Sequence, residues 1–246
     1  MPQKRIDELF QDTRYDLDNC LDNPPEWFKN ETRKLETEYG SQISSSTRVM
    51  FADQGSGDTG FTTTIVPGEF YMFHHDPIQK WALRYYDLSP FTFVFEAGRD
   101  WFRGLNFHYL PYPSRIELLQ YLMKYATIKP VNDRTRILID WDEAKDSSFG
   151  YLVQPCEQKY WMGEVRTRFK LIEPRHWALM MMLPCEDFFR AHKSRVWMDK
   201  MKHSAEVAKD YVARHGTPED VRKMRDYLDS LVQDKKVTIT RELEEV

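Results

Sequence analysis

Apolar positions follow three different patterns along this chain. In the first 60 residues they are sparse. Ile6, Leu9, Phe10 and Leu17 recur at helix-like spacing in a polar background. Asn23-Pro24-Pro25-Glu26 offers an Asn cap, Pro in the first turn and Glu at the capping-box position, so it predicts a second helix start. Gly40 after Tyr39 is a stop signal. Residues 41–60 carry loop chemistry. Their Gly55-Ser56-Gly57-Asp58-Thr59-Gly60 stretch lacks the following Lys-Ser/Thr and the preceding apolar strand of a phosphate-binding loop.

From Phe61 the composition becomes β-rich, and Phe91–Phe95 alternates Phe with small or β-branched residues. Thr62–Val66, Phe70–Phe73, Phe91–Phe95 and Phe107–Leu110 predict short strands, with Pro67-Gly68, Pro77, Pro90, Gly98 and Gly104 in the gaps. A helix is expected from Pro113, with Ile116, Leu119, Leu122 and Met123 on one face, then a strand at Thr135–Asp140. The unbroken apolar run Trp177–Leu183 reads as a buried strand. Glu186-Asp187-Phe188-Phe189 reads as the opening of a short helix. Ser194–His215 predicts a long helix ending at Gly216, and Thr217-Pro218-Glu219-Asp220 caps another. Lys235–Thr240 suggests an edge strand or tether. The expected fold is therefore α+β: a small, mostly antiparallel, aromatic-rich sheet with packed helices. The expected divisions are a helical acidic extension and linker (1–60), an α+β core (61–203) and a helical extension (204–246).

Composition narrows the class. With 41% hydrophobic and 30% charged residues among 246, the chain has the makeup of a folded globular protein. The net charge of −4 gives no global basic signature, yet the charge is uneven. Residues 1–60 hold 12 acidic and 7 basic side chains, whereas residues 159–203 hold 10 Lys/Arg against 5 Asp/Glu. Opposed patches suit an assembly partner or a polyanion. Three scattered cysteines, Cys20, Cys156 and Cys185, point to reduced thiols rather than a disulfide or zinc framework. The start lacks the apolar run of a signal peptide, and no 18-residue apolar stretch predicts a membrane span.

Four groupings are candidates for chemistry. His74-His75-Asp76 with His108 contains metal-ligand types, but neighbours on a strand point to opposite faces. Asp133, Asp140, Glu143 and Lys145 have the rough spacing of a metal-dependent nuclease, in which carboxylates hold the cation and a lysine flanks the attacking water. Cys156 and Cys185 each follow a proline in apolar surroundings, which reads as structural thiols. Arg166, Arg168 and Lys170 alternate, so as a strand they would share one face. Arg175, Lys193, Arg195, Lys200 and Lys202 extend the positive character. Such cations suit phosphate contacts or docking on an acidic protein, and Trp161 and Trp197 nearby suit stacking on bases.

Two ordered blocks carry a resemblance over roughly residues 68–203. The first is Phe70-Tyr71-Met72-Phe73, Asp76-Pro77, Tyr85 through Phe91, and Phe102-Arg103-Gly104-Leu105-Asn106-Phe107-His108-Tyr109-Leu110-Pro111. The second is Pro155-Cys156 through Tyr160, Val165 through Phe169, Glu173 to Trp177, Leu183-Pro184, and Phe188 through Lys193 to Val196-Trp197. They resemble a virion-protein family of large contractile-tailed phages of the T-even type, the DNA end protectors. The resemblance implies a non-enzymatic protein without cofactor that binds the end of the packaged genome and shields it from exonuclease. It implies residence in the virion, and in the host cytoplasm during assembly, with double-stranded DNA ends and portal, neck or baseplate proteins as partners. A structural protein of the neck, tail or baseplate and a metal-dependent nuclease are the competing classes. The 104–111 block itself reads as scaffold: Gly104 for a bend or positive φ, Asn106 for a loop hydrogen bond, and Pro111 before a helix.

Overall fold

The computed structural model describes residues 61–128 and 135–216. The expected N-terminal helices, the helix opened by Thr217 and the 235–240 segment lie outside them. Among the described residues, ten strands and five α-helices follow in chain order. The strands are β1 (Phe61–Thr62), β2 (Phe70–Met72), β3 (Tyr86–Asp87), β4 (Phe91–Ala97), β5 (Trp101–Asn106), β6 (Ala126–Ile128), β7 (Thr135–Ile137), β8 (Glu157–Trp161), β9 (Phe169–Ile172) and β10 (Phe188–Phe189). The helices are α1 (Tyr112–Met123), α2 (Trp141–Lys145), α3 (Gly150–Cys156), α4 (Trp177–Met182) and α5 (Lys193–His215). The main sheet runs β1-β9-β2-β4-β5-β8, and β10-β3 and β6-β7 form two small ladders. Every described pairing is antiparallel, so the expected α+β class with an antiparallel aromatic sheet is what the chain adopts.

These β-rich segments feed both faces of this sheet. Phe70, Met72, Phe91, Phe93 and Leu105 face a core shared with α1, α3 and α4. Tyr71, Phe73, Val94, Phe102, Tyr160 and Phe169 form a second cluster. Phe70 lies at the centre of the first, its ring centroid 5.3 Å from Phe91, Phe93 and Phe107 and 4.8 Å from Trp177. Each fully buried ring of this kind stabilises the fold by roughly 1.5–3 kcal/mol. A register shift between Val94 and Glu96 lets Phe95 stack on Trp141, with centroids 4.6 Å apart and planes 5° from parallel.

The strands expected at Thr62–Val66 and Thr135–Asp140 are shorter, Phe61–Thr62 and Thr135–Ile137, and three further local expectations fail for identifiable reasons. Trp177–Met182 is a helix, entered through a 3-10 turn at Pro174–His176. The run contains no β-branched residue, and its Ala, Leu and Met favour helix once burial on all sides removes any periodic signal. Phe107–Tyr109 is a 3-10 turn rather than a strand, because the Asn106 side chain accepts from the His108 backbone N–H and caps it. Phe188–Phe189 pairs with Tyr86–Asp87 as β10 instead of entering a helix. Glu186 is taken into an ion pair with Arg115 and does not serve in a helical first turn. The long helix is close to expectation: α5 is capped by His192, ends at Gly216 and passes position 203 without interruption.

Gly104 has no positive φ; among the described glycines that belongs to Gly68 alone. Its need is spatial. A Cβ on Gly104, in the middle of β5, would collide with Thr92 Cγ2 and stand 2.6 Å from the Phe93 carbonyl oxygen. Gly104→Ala is expected to lower the urea midpoint, by roughly 1–3 kcal/mol of stability as in other overpacked cores. An unchanged midpoint in urea unfolding of the variant would refute this account.

Candidate functional site

The segment around His75–Lys80 is stitched to the 162–166 turn by backbone bonds. Asp76 N–H donates to Glu164 O and Arg166 N–H to His74 O, each at 2.9 Å, and His75 and Val165 form an isolated bridge. Ile78 N–H adds a bond to Glu164 Oε1 at 3.0 Å. Between this segment and β8, the edge strand of the main sheet, lies a cleft of about 680 Å³. Its walls are aromatic: His75, Tyr85, Tyr86, Tyr109, Tyr160 and Trp161. The Tyr160 ring is held edge-on by Phe73 and His75 at 5.1 and 4.9 Å. Burial raises the Tyr109 and Tyr160 hydroxyls well above the ordinary phenol range, so both walls are uncharged at neutral pH. Around the cleft, large apolar side chains stay in water: Ile78 is 74% exposed, Trp81 68% and Trp161 48%. Lys159 lies between the Trp101 and Trp161 rings, 4.7 and 4.6 Å from their centroids. Asp100 and Glu164 supply carboxylates on the lining.

The predicted cations separate into three environments. Arg166 and Arg168 are exposed and precede β9 instead of lying in it, so the expected single strand face is not formed. Arg166 turns toward Asp76 Oδ2 at 3.5 Å, while Arg168 and Lys170 converge on the Phe61 ring, 5.9 and 5.0 Å from its centroid. Arg195 and Lys202 are exposed on α5. Lys193 and Lys200 are used internally. Lys193 pairs with Glu186 at 3.0 Å, and Lys200 stands 4.3 Å over the Tyr109 ring, where burial lowers its pKa. Arg175 falls in the Pro174–His176 turn. The two tryptophans also part: Trp161 lines the cleft, whereas Trp197 donates its indole N–H to His108 O at 2.9 Å inside the fold. The sequence singled out His75 only as a possible metal ligand, and the cleft tyrosines and Lys159 for no chemistry at all. They come from distant segments and meet only through the pairing of β8 with β5 and of β3 with β10.

The metal and nuclease groupings do not assemble. His74 is exposed and His75 buried, as opposite-facing neighbours should be, and His108 is committed to Asp87 and Cys185. Among the described residues no group of three or more His, Cys, Asp or Glu is placed to hold a metal ion. Asp140 caps α2 by accepting from the Asp142 and Glu143 backbone N–H groups, and Lys145 pairs with Asp142 at 3.0 Å. Asp133 lies outside the described residues.

One arrangement missed in the sequence is a buried chain of polar groups. His108, fully buried, has Nδ1 2.8 Å from Asp87 Oδ2 and Nε2 3.3 Å from Cys185 Sγ. Asn106 Nδ2 donates to the same Asp87 oxygen at 3.0 Å. Cys156 is the buried structural thiol expected, but Cys185 is only partly buried and touches a histidine. Beside this chain, Arg115 donates to Leu110 O at 2.8 Å, to His108 O at 3.4 Å and to Glu186 Oε2 at 3.2 Å. Burial favours a neutral His108, but Asp87 and Cys185 outweigh it and raise its pKa to about 9. Burial likewise opposes charge on Glu186, yet Arg115, His108 and Lys193 lower its pKa to about 2. The stabilisation from charged His108 is complete below its unfolded pKa of about 6.5 and is lost as pH rises through about 9. That from Glu186 is present above its unfolded value of about 4.5 and is lost as pH falls through about 2. Thermal midpoints are expected to fall between pH 6.5 and 9 in the wild type and to fall less in His108→Gln; parallel pH profiles for the two would sink the assignment.

A protein-family model described as "Phage T4 terminal DNA protecting protein" matches residues 27–204. No curated protein and no solved structure matches the chain. The matched span contains every described strand, helices α1 to α4, the aromatic cleft and the buried His108 chain, and it ends within α5. On that match, over most of its length, the chain belongs to the phage T4-type terminal DNA protecting protein family.

Proposed function

We propose that this protein binds the ends of linear double-stranded phage DNA and shields them from exonuclease as a non-catalytic component of the virion. The family match over residues 27–204 carries the proposal. Cations at the surface would give it a physical means: Arg168 and the half-buried Lys170, gathered over Phe61 at the β1–β9 edge, and the exposed Arg195 and Lys202 on α5 would meet phosphates. A non-catalytic role accords with the state of His108. Fully buried and bonded to Asp87 and Cys185, it holds its neighbours and has no route to a substrate.

Linear plasmid is expected to be retained by the protein and to resist exonuclease, whereas the same plasmid as a closed circle is released. Equal retention of the two forms would discard end binding in favour of a non-specific or purely structural role. Binding to linear DNA should weaken steeply with salt. In the Arg168→Ala/Lys170→Ala double variant, the slope of log affinity against log salt should shrink by roughly two, about 0.9 per phosphate contact removed. An unchanged slope would move the phosphate contact elsewhere.

A further inference from the structure

The outer face of the last base pair is a flat apolar surface that duplex DNA offers only at its ends. A protein that tells an end from interior duplex needs apolar surface of its own in water to meet that face, and a cation beside it for the adjoining phosphate. Such surface is concentrated in one place on this chain. Of the six large hydrophobics exposed among the described residues, Ile78, Trp81 and Leu83 fall within residues 78–83. Exposed apolar side chains scattered singly are ordinary, but three in one short loop make a patch.

The loop is held in its exposed position. Lys80 N–H donates to Pro77 O at 3.2 Å and Ala82 N–H to Gln79 O at 3.0 Å, which folds it into two tight turns. Its start is fixed by the Ile78 N–H bond to Glu164 Oε1 and by the Lys80–Asp76 pair at 2.9 Å. Its end is fixed by Arg84, which reaches Asp199 of α5 at 2.9 Å. The Trp81 ring meets Phe189 edge-on at 6.2 Å and carries the Arg190 guanidinium 4.6 Å from its centroid.

Arg190 sets the chemistry of the ligand. It is exposed, and among the described residues no carboxylate pairs with it, whereas Asp76 and Asp199 are each taken by a cation of the loop. The exposed Asp187 stands before β10 and Arg190 after it. Arg190 has a φ of 66°, in the left-handed region that a residue with a Cβ seldom takes. In that conformation its guanidinium lies against both Trp81 and Phe189. An unpaired cation seated on an exposed indole suits a phosphate next to a flat apolar face. An apolar protein surface would cover the indole and leave the charge buried and unmet.

We infer that the 78–83 loop reads the end of the duplex: Trp81 stacks on the outer face of the terminal base pair, Ile78 and Leu83 cover the rest of that face, and Arg190 binds the phosphate beside it. The inference rests on the end-binding function proposed for this protein and adds to it the surface that makes an end differ from interior duplex.

The test compares, with the full chain, one blunt linear duplex and the same duplex closed at both ends by hairpin loops, which keep the phosphates and hide the terminal faces. The wild type should bind the open form roughly tenfold more tightly than the closed one, about the worth of one base stacked on an aromatic ring, and only the open form should quench tryptophan fluorescence. Trp81→Ala and Ile78→Ser, both at exposed positions, should keep the wild-type urea midpoint and bring the ratio of open to closed affinity close to one. Arg190→Gln should reduce the slope of log affinity against log salt for the open form by about 0.9, one phosphate contact. Leu138→Ala removes an exposed apolar side chain between β7 and α2 and should keep the tenfold ratio. A ratio that survives Trp81→Ala overturns the inference and leaves end binding intact; if that variant is also missing from assembled particles, the loop docks on a virion protein instead. A ratio lost equally in Leu138→Ala overturns it too, since the effect would not belong to the loop. If the wild type binds open and hairpin-closed duplexes alike but rejects closed circles, the terminal face is not what is read. If circles bind as well, end binding itself fails and this inference falls with it.

Discussion

Arg115 is a cation with no access to water, and the architecture on the helical side of the sheet is arranged around satisfying it. Its guanidinium donates to carbonyls of Leu110 and His108 in the turn after β5 and to Glu186 before β10, while Tyr112 lies 4.7 Å beneath it. Taking an ion pair out of water costs several kcal/mol per charge, so the pair is tolerated only where all its hydrogen bonds are met. That requirement couples parts of the chain that share no strand ladder. Glu186 also binds Lys193 at the start of α5 and the Tyr112 hydroxyl at the start of α1. The His108–Asp87 contact then ties the same turn to β3. Removing any one partner strands a buried charge, which explains why the segments that frame the cleft on this side, β3 and the Phe107–Tyr109 turn, are held by charge as well as by apolar contact.

The sequence exposed much of this fold because its longer strands are rich in aromatic and β-branched residues. Phe70–Met72 and Phe91–Ala97 announce themselves by period and composition, and α5 by its length and its terminal glycine. What stayed hidden has physical causes. Trp177–Met182 is buried on every side, and a helix without a polar face has no period to detect. The Phe107–Tyr109 turn depends on one side-chain cap from Asn106, which looks like any strand-end asparagine until the backbone is known. The resemblance seen in the 104–111 block was sound, but these residues serve the interior: Asn106 and His108 are wholly buried.

The surface was less legible than the core. A count of lysines and arginines between residues 159 and 203 treats all ten alike. In the fold, Lys193 and Lys200 are drawn into the interior by Glu186 and Tyr109, while Arg168 and Lys170 gather on one phenyl ring. Cation number is a property of sequence; cation availability follows from which acids and rings reach them first. The aromatic cleft was invisible for a related reason. Tyr85, Tyr109 and Trp161 are far apart in the chain, and only pairing brings His75 opposite Val165 and Trp161 beside Trp101.

On one side of that cleft, residues 74–78 and 164–166 are joined to each other by hydrogen bonds. A group that docked there would find this side already set, and little conformational freedom would be lost on its arrival. In such a site the rate of capture is governed by encounter, and affinity is expressed mainly as dwell time, set by the contacts that must break together on departure.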